Sequence, residues 1–201
     1  MSTDPGDLCV VHSIQTDSAR AEARALVDDR LRQLTRNGRT VPPVADAAVP
    51  FQDPHNAQGE PYGLYKGDVL LACLTLDHAP DLKHWGTEEA ARNSVLLRHL
   101  YTHPDHPADN VLLITLWAAD YAARQGIPLL RAEVPAHHRR DTNPLSGFLD
   151  RLTAMGWHSR GVGPGVADDR VVRLDRCSEE IPALFGIVRP APNARDDETA
   201  T

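Results

Sequence analysis

Two apolar runs carry the side chains best placed to move a proton. Val95 to Thr102 reads VLLRHLYT and holds His99 and Tyr101, while Pro128 to Val134 reads PLLRAEV and holds Glu133. Histidine has the ordinary pKa nearest neutrality, so it can take and return a proton at physiological pH. Between the two runs lies His103-Pro104-Asp105-His106-Pro107, followed by a long amphipathic stretch that stops at Gly126. The order is strand, loop, helix, strand, with the loop opening onto a helix N-terminus. Unpaired N–H groups and the helix dipole favour an anion such as phosphate at that place. Phosphate-binding loops usually carry glycine, and this loop has none.

Other chemistries find less support. Ten histidines are present, but no His-x-x-x-His or Cys-His set occurs, and the adjacent pair His137-His138 does not make a closed tetrahedral site. No metal is expected. Cys9, Cys73 and Cys177 are far apart and odd in number, which points to buried thiols in a reducing compartment, not a disulfide frame or a zinc site. Trp117 and Tyr121 are four apart on the amphipathic stretch, the spacing of one packed helix face, and read as core. The stretch Gly161-Val162-Gly163-Pro164-Gly165 precedes a strand, not a helix, so it reads as the turn joining the last two strands.

The elements that must position these residues follow from periodicity and turn chemistry. Leu8 to Ile14 is a short branched apolar run, hence a strand. Asp17 and Ser18 offer N-caps for a helix running to about Arg36 and ended by Asn37-Gly38. Pro42 to Pro61 reads as loop with at most a helical turn. Tyr62 to Lys66 and Val69 to Asp77 flank Gly67-Asp68, a hairpin signal. His78 to Arg92 is an excursion with Trp85 packed, before the strand that ends at Thr102. A helix from about Val111 to Gln125, a strand from Pro128, a helix from Pro144 to Met155 and strands at Trp157 to Arg160 and Val171 to Leu174 complete the order. Alternation of this kind gives an α/β sheet with helices on both faces.

A length of 201 residues is enough for one ordinary domain. The expected layout is a disordered N-terminus over 1–7, a single domain over 8–189 and a disordered acidic tail over 190–201. The net charge of −7 argues against nonspecific nucleic-acid binding; the basic run His137-His138-Arg139-Arg140 reads as a solvated turn. No secretory signal is visible and no apolar run approaches the roughly 20 residues of a membrane helix. A cytoplasmic protein with no membrane partner is expected.

This order and these lengths resemble the GNAT superfamily of acyl-CoA-dependent N-acyltransferases. VLLRHLYTHPDH is similar to the family's fourth strand and closing turn, LLITLWAADYAARQGIPLLRAEV to the next helix and fifth strand, and FLDRLTAMGWHSRG to the helix and strand that often carry Tyr-x-x-x-Gly-Phe. The resemblance implies a mixed sheet of about six to seven strands, with the fourth and fifth splayed apart. It implies acetyl-CoA or another acyl-CoA as donor, with a small-molecule amine as acceptor. Homodimers are common in the family. The pantetheine arm would pair with the strand edge at Leu100, Tyr101 and Thr102, and the pyrophosphate would meet the helix start at Asp109, Asn110, Val111 and Leu112. The sequence departs from the family's Gln/Arg-x-x-Gly-x-Gly/Ala there: Pro107 to Leu112 put Asn110 and Leu112 at the two small positions. Asp109 or Asn110 would cap the helix and compete with phosphate for its N–H groups. Leu152 stands where the family's tyrosine acid would be, and Leu96 where some members carry glutamate. Glu133 and His99 are the remaining candidates for base, and Tyr101 for the donor to the leaving thiolate, with His99 and Tyr101 on one strand face by alternation. Two alternatives stay open: a carrier-protein or aminoacyl-tRNA donor, which lacks the CoA diphosphate at that place, and a GNAT-like domain that binds without catalysis.

Overall fold

The computed structural model describes residues 8–39, 41, 44–52, 59–105, 107–136, 144–165 and 169–190. The basic run at 137–140, the expected N-terminal segment over 1–7 and the tail beyond Pro190 lie outside them. In chain order the elements are β1 (Cys9–Ser13), α1 (Asp17–Arg36), α2 (Val44–Gln52), β2 (Glu60–Lys66), β3 (Val69–Asp77), a 3-10 turn (Lys83–Trp85), α3 (Thr87–Ala90) and β4 (Ser94–Thr102). Then follow α4 (Pro107–Arg124), β5 (Leu129–Pro135), α5 (Pro144–Ala154), β6 (His158–Pro164), β7 (Arg170–Cys177), a second 3-10 turn (Pro182–Gly186) and β8 (Val188–Pro190). The strand order is β6-β7-β5-β4-β3-β2-β1-β8. Among the described residues the sheet is mixed, as the resemblance implies, and has eight strands; β8 pairs parallel with β1 at the point where sequence places the start of the tail.

By compactness the chain divides into two units, and β3 and β4 contribute residues to both. The first comprises 1–74, 100–110 and 182–201. Its core joins Ile14 to Ala23, Leu26, Val27 and Leu31 of α1, Ala47, Ala48 and Phe51 of α2, and Leu70 and Cys73 of β3. Thr16 caps α1, its side chain accepting from the Ala19 N–H at 3.2 Å. The cap thus falls one residue before Asp17, which instead sits in the first turn, where a carboxylate suits the dipole. The segment containing α2 reads as loop because prolines and polar residues flank it. Burial of Ala47, Ala48 and Phe51 outweighs that local signal, even with Pro50 inside the helix. The β2–β3 hairpin turns on Gly67, whose φ of +55° is cheap only for glycine.

The second unit comprises 75–99 and 111–181. β7 lies between β5 and β6, antiparallel to both. Ile114, Trp117, Ala118, Ala119 and Ala122 of α4 are buried, and the Trp117 ring stacks on Tyr121 with centroids 5.4 Å apart, so this pair is core. Trp157 is buried as well and donates its indole N–H to Thr115 Oγ1 at 3.3 Å. The glycine-rich stretch is not the turn but the exposed strand β6, and the glycine at 163 has a packing reason given below. No helix of the described residues is long and apolar enough to cross a membrane.

Candidate active site

β5 runs parallel to β4 over a short ladder, in which Ser94, Val95, Leu96 and Leu97 face Leu129, Leu130, Arg131 and Ala132. β4 goes on to Thr102 and β5 to Pro135, but among the described residues the two share no further pairing. β5 keeps its other neighbour: Glu133, Val134 and Pro135 stay in register with Arg173, Val172 and Val171 of β7. From position 98 onward the edge of β4 is no longer laddered to β5. An edge of this kind is where an extended ligand can add itself as another strand.

The parting coincides with a break in the pleat. Among the described non-glycine residues, His99 is the one with a left-handed φ, +52°. Such a backbone costs about 1–2 kcal/mol and persists only where the surroundings hold it. Here the His99 Nδ1 lies 3.0 Å from the hydroxyl of fully buried Thr75, which also donates to the Arg98 carbonyl at 3.4 Å. Burial, and then the charge of Arg98, push the His99 pKa down to about 4. The imidazole is therefore neutral at pH 7 and a weak base. The alternation that puts His99 and Tyr101 on one face assumes extended backbone, which the φ of His99 interrupts.

Glu133 follows Ala132 directly, so it is the first β5 residue past the ladder. Its Oε1 accepts two hydrogen bonds, from Trp85 Nε1 at 2.7 Å and His84 Nε2 at 2.5 Å. Both carboxylate and imidazole are largely buried, at 13 % and 17 % side-chain exposure. Trp85 in turn rests on arginine: the Arg131 guanidinium lies 4.8 Å from the ring centre and that of Arg173 5.8 Å away. Arg131 is fully buried and donates to the Glu89 carbonyl at 2.8 Å and to Glu89 Oε2 at 2.7 Å. Arg173 donates to the carbonyls of His84 and, at 3.0 Å, Pro164. It passes so close to β6 that a Cβ at Gly163 would stand 2.5 Å from its Cζ, so a larger residue there would have to push the guanidinium aside. The excursion between β3 and β4 is thus clamped to β5 and β7 through Trp85 and His84. The sequence singled out Glu133 but missed His84, Glu89, Arg131 and Arg173. The available signal was that a buried carboxylate and a buried indole each need a partner.

The remaining candidates belong to the first unit, apart from Val111 and Leu112. Leu100 and Tyr101 are half-buried and Thr102 is buried. The Tyr101 ring meets Phe51 edge-on at 6.4 Å and packs against the α1–α2 core, and burial pushes its hydroxyl up to about 12. α4 begins at Pro107, four residues earlier than the capping letters Asp109 and Asn110 suggest, because proline is well suited to the first helical position. Asp109, Asn110, Val111 and Leu112 are consequently helical. Asp109 is exposed in the first turn, and Leu112 is 38 % exposed. Asn110 does not cap: it is buried, and its Nδ2 donates to the Leu71 carbonyl at 3.1 Å. The same carbonyl accepts the His103 N–H at 2.7 Å, so one β3 oxygen ties down both ends of the turn into α4. Asn110→Ala is expected to lower stability by about 1–2 kcal/mol in urea unfolding, because the bond is lost while Leu71 keeps its second donor. An unchanged midpoint would show that the contact contributes nothing.

No family model and no curated protein sequence matches the chain. Solved structures do. An aminoglycoside N(6')acetyltransferase from Legionella pneumophila superposes with a TM-score of 0.58 at 12 % identity, over 86 % of this chain and 93 % of that one. An acetyltransferase from Thermus thermophilus gives 0.55 at 16 % identity, over 85 % and 97 %. FeeM, an N-acyl amino acid synthase from uncultured soil microbes, gives 0.55 at 13 %, over 85 % and 92 %. These likenesses span nearly the whole of each neighbour, and they agree with a mixed sheet whose parallel β4–β5 pair parts after four residues: the chain has the GNAT fold.

Proposed function

We propose that the protein is an N-acyltransferase that moves an acetyl or other acyl group from a thioester to the amine of a small molecule. The observation that carries this reading is the parting of β4 from β5 after Leu97 and Ala132, on a fold shared with N-acetyltransferases and an N-acyl amino acid synthase. The pantetheine arm of the donor pairs with β4 along Leu100, Tyr101 and Thr102, as an added strand would. In this reading the diphosphate of acyl-CoA meets the start of α4 near Asp109, Asn110, Val111 and Leu112, although Asp109 brings a like charge to it. Acyl-CoA is a donor substrate here, and the chemistry asked of the protein is orientation and proton transfer. With its pKa pushed up to about 12, Tyr101 gives a hydrogen bond to the leaving thiolate more readily than a proton.

The test is a thermal-shift series followed by a thiol-release assay with a panel of amines. Acetyl-CoA at 100 times its Kd stabilises by about 2.7 kcal/mol, which in a chain of this size raises Tm by roughly 5–10 °C. A shift with S-acetyl-pantetheine or charged tRNA but not with CoA thioesters would move the donor to a carrier protein or tRNA. No shift and no thiol release with any thioester would overturn the transferase reading in favour of a binding domain.

A further inference from the structure

Three groups near the parting of the strands could take a proton from the acceptor amine: His99, Glu133 and His84. His99 lies against the Thr75 hydroxyl, and burial, followed by the charge of Arg98, keeps it neutral and weakly basic. Glu133 has both donors of the excursion directed at one oxygen, Oε1, and hydrogen bonds to a carboxylate stabilise its charged form. Its Oε2 is close to β6, where a Cβ on Gly165 would lie 3.4 Å from it. A carboxylate so occupied orients another group better than it accepts a proton itself.

We infer that His84 is the proton acceptor of the transfer, with Glu133 as its positioning residue; this rests on the acyltransferase reading. The geometry fixes the tautomer. An imidazole nitrogen 2.5 Å from a carboxylate oxygen must carry the hydrogen, so Nε2 is the donor and the lone pair remains on Nδ1. Two further contacts hold the ring in place. The His84 carbonyl accepts from Arg173, and the neighbouring Trp85 shares Oε1 of the same carboxylate. A histidine oriented by a carboxylate through one nitrogen, with the other directed to a substrate, is the general arrangement of a base whose cation is stabilised as it forms. The charged groups facing His84 are Glu133 from β5, Arg173 from β7, and Asp81 and Lys83 of its own excursion, which pair with each other at 2.8 Å. Glu133 touches it directly and favours the imidazolium.

The step balances as follows. The acceptor ammonium gives one proton to His84 Nδ1 and becomes a neutral amine. Its nitrogen attacks the thioester carbon, the new C–N bond forms, and the C–S bond breaks with its electron pair going to sulfur. The second amine proton ends on the thiolate, and His84 releases its proton to water. The products are an amide, a thiol and one proton.

His84→Gln keeps a side-chain N–H able to reach Glu133 but cannot accept the proton. In the full-length chain it is expected to lower kcat at least 100-fold while changing the acetyl-CoA Kd less than threefold. Glu133→Gln removes the carboxylate that orients the ring, so kcat falls, but less than in His84→Gln. Nitrogen-15 NMR of the ring adds a readout that does not depend on turnover. It is expected to show the Nε2–H tautomer at neutral pH in the wild type and a loss of that preference in Glu133→Gln. Wild-type turnover that survives His84→Gln with an unchanged pH profile overturns the inference and leaves the transferase reading intact. An Nδ1–H tautomer in the wild type, or a tautomer preference that Glu133→Gln leaves unchanged, overturns it as well. A wild type that releases no thiol from any thioester sinks the transferase reading, and the inference with it.

Discussion

Trp85→Ala is expected to lower the unfolding free energy by about 3–5 kcal/mol, the largest loss of any single change outside the two main cores. Three effects add at this one side chain. The ring is buried with Leu82 and Leu96, so its removal opens a cavity beneath the excursion between β3 and β4. The Arg131 guanidinium loses the aromatic face 4.8 Å away, and a fully buried cation has no solvent to fall back on. Glu133 loses a 2.7 Å hydrogen bond. Trp85→Phe separates these effects, because it keeps most of the packing and removes only the indole N–H. It should cost about 1.5–3 kcal/mol, the range for a hydrogen bond to a charged group. Urea unfolding of both variants checks the order. If alanine and phenylalanine cost the same, packing against arginine contributes little and the carboxylate bond is the whole of the clamp.

The legible part of the fold is the part set by local pattern. The β2–β3 hairpin, the end of α1 at Asn37-Gly38, the stop of α4 before Gly126 and the packed Trp117–Tyr121 face all follow from spacing or turn chemistry within a few residues. α2 was illegible because prolines and polar residues surround a helix whose stability comes from Phe51 and two alanines buried in a core assembled from distant segments. The start of α4 was misplaced for a different reason. Asp109 and Asn110 are good capping residues by type, but Asn110 finds a better partner in the Leu71 carbonyl, 39 positions away, and the helix already begins at Pro107. The candidate site shows the same division. Glu133 could be singled out as an acid in an apolar strand, whereas its partners His84 and Trp85 stand 49 and 48 positions earlier in a segment without regular pattern. The break in β4 at His99 was not legible either, because a φ of +52° has no single-sequence signature.

That left-handed histidine leads to the second large effect, a loss of stability in mild acid. The unfolded chain protonates His99 near 6.5, while in the folded protein burial, followed by the charge of Arg98, brings its pKa down to about 4. Because the folded value lies below the unfolded one, the neutral ring favours the folded state. The full contribution is present above pH 6.5. As pH falls below that, the unfolded state binds a proton the folded state refuses, and stability drops by up to roughly 3 kcal/mol on reaching pH 4. Below about pH 4 both states are protonated and this contribution falls no further. Carboxylates titrate in the lower part of the same range, so the difference between wild type and a variant is the quantity to measure. His99→Asn suits this purpose because asparagine tolerates a left-handed φ and carries no titrating proton. Urea midpoints from pH 7.5 to 4.5 should fall more steeply for wild type than for His99→Asn, with the curves separating between pH 6.5 and 5. Parallel curves would mean that the ring at the parting of β4 and β5 is hydrated and protonates freely, and His99 would then regain its standing as a base beside His84.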